Sequence, residues 1–101
     1  MRAAKVDDNQ RAIVTALRGV GATVAHLHRV GMGCPDLMVG WRGTNYLMEC
    51  KDGDKPLSAQ KLTPMQQEFH AGWRGQICVV NSPEAALAAI GVIPLRGVSN
   101  A

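Results

Sequence analysis

The sequence predicts an α/β domain with a mixed sheet, and three observations carry that reading. Apolar residues switch along the chain from helical spacing to strand-like runs and back. Two helix starts are spelled out by a capping residue followed by proline, Thr63-Pro64 and Ser82-Pro83. Two apolar runs are joined by Arg42-Gly43 alone, a connection that suits an antiparallel hairpin. The resulting order of helix, three strands, helix, strand, helix packs helices on a sheet.

The first helix is expected from Asp8 to Arg18, where Ile13, Val14 and Leu17 share one face, Asp7 or Asp8 caps the start, and Gly19 and Gly21 supply the stop. Thr23 to Val30 alternates and contains β-branched residues, so it reads as a strand ending at Gly31-Met32-Gly33. Leu37 to Trp41 and Thr44 to Lys51 form the hairpin. Asp52 to Leu62 is polar and punctuated by Gly53 and Pro56, and reads as an exposed loop. Thr63-Pro64-Met65-Gln66 resembles a capping box and opens a helix that ends near Gly72. Ile77 to Val80 is expected as a short buried strand, able to lie parallel to its neighbour because a helix precedes it. The alanine-rich helix after Ser82 is stopped by Gly91, and the last ten residues read as coil.

At 101 residues the chain fits a single domain over 1–101. With 47% apolar and 19% charged residues it has the balance of a folded chain rather than a disordered one. No apolar run is long enough for a membrane span and none follows the basic N-terminal residues as a secretory signal would, so a cytoplasmic location is expected. The net charge of +3 permits a polyanionic partner without requiring one. Cys34, Cys50 and Cys78 are widely spaced and odd in number, which argues against a disulfide framework and for apolar buried thiols. Zinc is the rival use of these cysteines, with His26, His28 and His70 as partners, but no closely paired Cys/His spacing supports it.

The chemistry concentrates between Gly33-Cys34-Pro35-Asp36-Leu37 and Glu49-Cys50-Lys51. Side chains alternate along a strand, so Glu49 and Lys51 share a face while Cys50 takes the other. Antiparallel pairing then brings Asp36 to the same sheet edge as Glu49 and Lys51. Two carboxylates with open positions beside them suit Mg²⁺ or Mn²⁺, and a metal of that kind with a nearby lysine suits phosphodiester hydrolysis. Lys51 can serve there by stabilising developing charge or, with a lowered pKa, by helping to deprotonate water. Taken singly, Asp36 is an ordinary turn residue and Glu49 with Lys51 an ordinary solvated pair; their conjunction is the signal.

Gly33-Cys34-Pro35-Asp36-Leu37, Tyr46-Leu47-Met48-Glu49-Cys50-Lys51 and Leu62-Thr63-Pro64-Met65-Gln66, in this order, resemble the VRR-NUC branch of the PD-(D/E)XK nucleases, in the small stand-alone form that phages carry. The resemblance runs from Asn9-Gln10 to the final helix. It implies a restriction-endonuclease-like core and a metal-dependent DNA nuclease, working in the host cytoplasm if phage-encoded. It also implies that Asp36 and Glu49 bind the metal, that the main-chain carbonyl of Cys50 adds a ligand, that Lys51 is the catalytic lysine, and that Gln66 sits beside the site to orient water or phosphate. Gln66 has a structural use as well, since it completes the capping box. Many relatives carry a glutamate on the first helix where this chain has Gln10, with Asp7 and Asp8 nearby, which puts a second metal in doubt.

The substrate side is less defined. Arg29, Arg42, Lys55, Lys61 and Arg74 fall in expected loops or element ends, where phosphate contacts are common. Trp41 and Trp73 can stack on bases but read more readily as core or interface residues, and His26 with His28 reads as a shared surface. Branched DNA cut by a homodimer is the form of substrate that the resemblance suggests. Two other readings remain open: a catalytically silent nucleic-acid-binding module on the same fold, and a small zinc-structured protein.

Overall fold

The computed structural model describes residues 8–92. Helix α1 (Asp8–Gly19) is followed by strands β1 (Thr23–His26), β2 (Leu37–Trp41) and β3 (Thr44–Cys50), helix α2 (Pro64–Gly72), strand β4 (Ile77–Val80) and helix α3 (Pro83–Ala89). The four strands form one sheet in the order β1-β2-β3-β4. The first three are antiparallel in sequence, and β4 runs parallel to β3. This is a restriction-endonuclease-like α/β arrangement with a mixed sheet.

One sheet face carries the core. Leu37 and Val39 of β2, Met48 of β3 and Val80 of β4 are buried against Ile13, Val14 and Leu17 of α1 and Ala86 of α3. The helix stripe and the strand alternation therefore meet on this face. Residues of opposite parity (Asp36, Met38, Leu47, Glu49 and Lys51) belong to the other face.

Local chemistry explains most boundaries. Arg42 and Gly43 both take positive φ, +50° and +81°, as a two-residue hairpin with native twist requires. Thr63 caps α2 through a full capping box with Gln66, and the hydroxyl of Ser82 accepts from Ala85 N to start α3. Gly91 ends α3 at φ +89° while Val92 N donates back to Leu87 O.

Two expectations need correction. Strand β1 stops at His26 rather than Val30. One further ladder bond joins Leu27 N to Asp36 O, and there the pairing ends. The chain instead turns, with Val30 N donating to Leu27 O and Gly31, Met32 and Gly33 all at positive φ. The expected loop from Asp52 to Leu62 contains a short 3-10 turn at Leu57–Gln60, and it is tied to the end of β4 by Gly53 N to Asn81 O and Asn81 Nδ2 to Gln60 Oε1. The Asp7 cap, and the C-terminal coil beyond Val92, lie outside the described residues.

Gly33 joins this turn to the rest of the fold. Its φ is +80°, and a Cβ placed there would come within 2.3 Å of Met65 O at the start of α2. Gly33→Ala is therefore expected to cost about 2 kcal/mol or more from strain and clash. A melting experiment would read this as a fall in Tm of roughly 8 °C or more.

Candidate active site

Because Leu37 pairs with Met48, the residue before Leu37 lies beside the residue after Met48, and Asp36 and Glu49 come together. Asp36 is fixed by the main chain: its Oδ2 accepts from Cys50 N at 2.8 Å. A strand residue directs its N–H and C=O to the same side, so the Cys50 carbonyl also faces Asp36. The Cys50 side chain packs toward the core on the opposite face.

Glu49 is 3% exposed, and one of its carboxylate oxygens, Oε1, is buried with no hydrogen-bond partner. Its pKa is pushed up from 4.5 to about 8, first by burial, then by the charge and hydrogen bonding of Asp36, against the opposing pull of Lys51. Two carboxyl groups are thus held where both cannot comfortably ionise.

Helix α2 supplies the other wall. Gln66 Oε1 accepts from Thr63 N at 2.9 Å, as the capping box requires, and also from Lys51 Nζ at 3.0 Å. Gln66 Nε2 donates to Glu49 Oε2 at 3.2 Å. The structural and the site readings of Gln66 are therefore both satisfied by one amide. The Lys51 ammonium stands 3.9 Å from Glu49 Oε2, with 14% of its side chain exposed.

Sequence reasoning missed two residues here. Asn9, at the start of α1, donates from Nδ2 to Lys51 O at 2.6 Å and to Asn81 O at 3.3 Å, so it holds the end of β3 against that of β4. His70 follows Gln66 by one helical turn and so lies on the same face of α2. Its Nε2 is buried without a partner, and its pKa is lowered from 6.5 by burial and by the Lys51 charge. The spacing from Gln66 was the available signal for His70; nothing in the sequence marked Asn9.

Gln10 is buried on α1 at 8% exposure, and Asp8 is exposed and paired with Arg11 at 2.8 Å. Arg42 lies at the hairpin tip, the end of β2 away from Asp36, with its guanidinium 5.2 Å from the Trp41 ring centroid. A surface concavity lined by Trp41, Arg42, Tyr46 and Ile90 among others is at that same end and away from the carboxylates. Trp41 packs partly on the core, whereas Trp73 is 44% exposed and stacked on Phe69. His26 and His28 are exposed with rings 6.3 Å apart, and His28 lies beyond the strand.

The three cysteines are free and half-buried rather than fully buried. Cys34 is held protonated by burial and by neighbouring Glu49 and Asp36. Among the described residues no three His, Cys, Asp or Glu side chains converge on a common point, so a metal here would rest on two carboxylates and a main-chain oxygen. No described helix is long and apolar enough to cross a membrane.

The folded chain keeps a proton on Glu49 that the unfolded chain releases above 4.5, so this contribution to stability is complete below 4.5 and is lost as pH rises through about 8. His70 acts in the opposite sense, near and below 6.5. Between pH 6.5 and 8, Tm of the metal-free protein is expected to fall with rising pH, and Glu49→Gln is expected to flatten that slope. A wild-type Tm that stays level over this interval would contradict the buried-carboxyl account.

Among known proteins, the fold is similar to a solved VRR-NUC domain, with 28% sequence identity and a TM-score of 0.62 over 80% of this chain and 88% of that one. No family model and no curated protein matches the sequence.

Proposed function

For a chain that carries a VRR-NUC domain, a nuclease-family fold, we propose a metal-dependent nuclease that hydrolyses DNA phosphodiester bonds. The observation that supports it most is the Glu49 carboxyl buried against Asp36, with no donor from the rest of the chain on its Oε1. A divalent cation relieves this arrangement by taking up the free lone pairs and cancelling the repulsion between two carboxylates. Asp36, Glu49 and the Cys50 carbonyl would hold Mg²⁺ or Mn²⁺, hard ions suited to oxygen ligands. When bound, such an ion polarises phosphate oxygen and activates water.

The chain's own residues supply the rest. Cys50 N fixes the Asp36 carboxylate, and Gln66 fixes both Glu49 and Lys51 through one amide. With Gln66 Oε1 accepting from it, the Lys51 amine is oriented as a donor, which favours its role in stabilising negative charge on the phosphate over that of a base. Gln10 in place of an acid on α1 favours a single ion. Arg29, Lys55, Lys61 and Arg74 are exposed and available to phosphates.

Branched DNA and a homodimer belong to the same proposal. Two copies would present two sites to two strands, and the exposed Trp73 and Val79 offer apolar surface for such a contact.

The test is cleavage of supercoiled plasmid and of linear, nicked, flap and four-way DNA in Mn²⁺ or Mg²⁺. Metal-dependent cutting is expected, with Lys51→Ala and Asp36→Asn each slowing it by about 100-fold or more. Equal rates on all DNA forms would remove the preference for branches. Salt-dependent binding that persists in EDTA, without cleavage in any metal, would replace the nuclease by a binding module.

A further inference from the structure

Resting on the nuclease reading, we infer that His70 is a positioning residue for Lys51, its Nε2 serving through one bridging water as a second acceptor for the ammonium beside Gln66 Oε1. The argument is one of unmatched donors and acceptors. A lysine ammonium has three N–H donors. Gln66 Oε1 takes one at 3.0 Å, and Glu49 Oε2, at 3.9 Å, is beyond hydrogen-bond reach. One turn along α2 from Gln66 is a buried imidazole nitrogen with no hydrogen-bond partner, on a ring that feels the Lys51 charge. Glu49 Oε1 and His70 Nε2 are the two buried side-chain polar atoms without partners among the described residues, and both belong to groups that feel the Lys51 charge.

Helix geometry sets His70 beside Gln66. Gln66 and His70 are four residues apart, so both lean from α2 on the same side. The capping box locks Gln66 at the start of the helix, and His70 follows from its second turn. A protonated imidazole would repel Lys51. Burial and the Lys51 charge both favour the neutral form, which alone has a lone pair to offer. Two acceptors fix the direction of a flexible four-carbon side chain better than one, and a misdirected ammonium loses its effect on the reacting phosphate.

His70→Phe keeps the ring volume and removes the acceptor; His70→Gln places an amide oxygen at similar reach. In Mn²⁺, His70→Phe is expected to lower kcat roughly 10- to 100-fold with KM and EDTA-state DNA binding unchanged, and His70→Gln to recover most of the loss. Wild-type kcat in His70→Phe, or equal loss in both variants, would overturn the assignment. A second measurement needs no cleavage. In the metal-free protein at pH 8, the ¹⁵N shift of His70 Nε2 is expected to be that of a bonded acceptor and to move to the free value in Lys51→Met. An Nε2 shift that is the same in both proteins would also overturn it. If the wild-type protein cuts no DNA, the nuclease reading falls, while the NMR comparison still decides the His70–Lys51 pairing.

Discussion

The pairing of Leu37 with Met48 is the constraint on which the site depends. It sets Asp36 against Glu49 and allows Cys50 N to bind the Asp36 carboxylate. A slip of one residue would turn Glu49 and Lys51 into the apolar core and Met48 out of it. The buried side chains of Leu37, Val39 and Met48 therefore hold the register as firmly as any polar contact does. Site and core are two faces of the same two strands, and each enforces the other.

What the register brings together is electrostatically uncomfortable. Glu49 is almost wholly buried, close to a second carboxylate, with one oxygen unpaired. Such an arrangement is retained at a cost in stability, and sites for charged ligands are where that cost is commonly found. Gln66 moderates it by tying Glu49, Lys51 and the start of α2 into one network. Through the same amide α2 is anchored, so the wall of the site and the charges inside it are tied together.

Much of this was legible in the sequence, and the physical reasons differ residue by residue. Asp36, Glu49 and Lys51 could be placed because strand alternation and a two-residue hairpin leave little freedom. The same hairpin sends Arg42 to the opposite end from Asp36, a consequence that pattern reading by loop position overlooked. The end of β1 was misplaced because its limit is set by a turn: Val30 N bonds back to Leu27 O and Gly31, Met32 and Gly33 take positive φ, whatever the β propensity of Val30. Asn9 was invisible because its bond to Lys51 O spans 42 residues of sequence. His70 became meaningful only once α2 was seated over the sheet and its neighbours were known.

Calorimetric titration of Mn²⁺ into the protein at pH 7, in buffers of different ionisation enthalpy, tests the central claim most directly. The account predicts one ion per chain, with proton release because burial and Asp36 favour a proton on Glu49 that the ion displaces. Both the binding and the proton release should be lost in Glu49→Gln, and the binding greatly weakened in Asp36→Asn. Absence of binding, or binding that survives removal of either carboxylate, would contradict the assignment of Asp36 and Glu49 as the metal site.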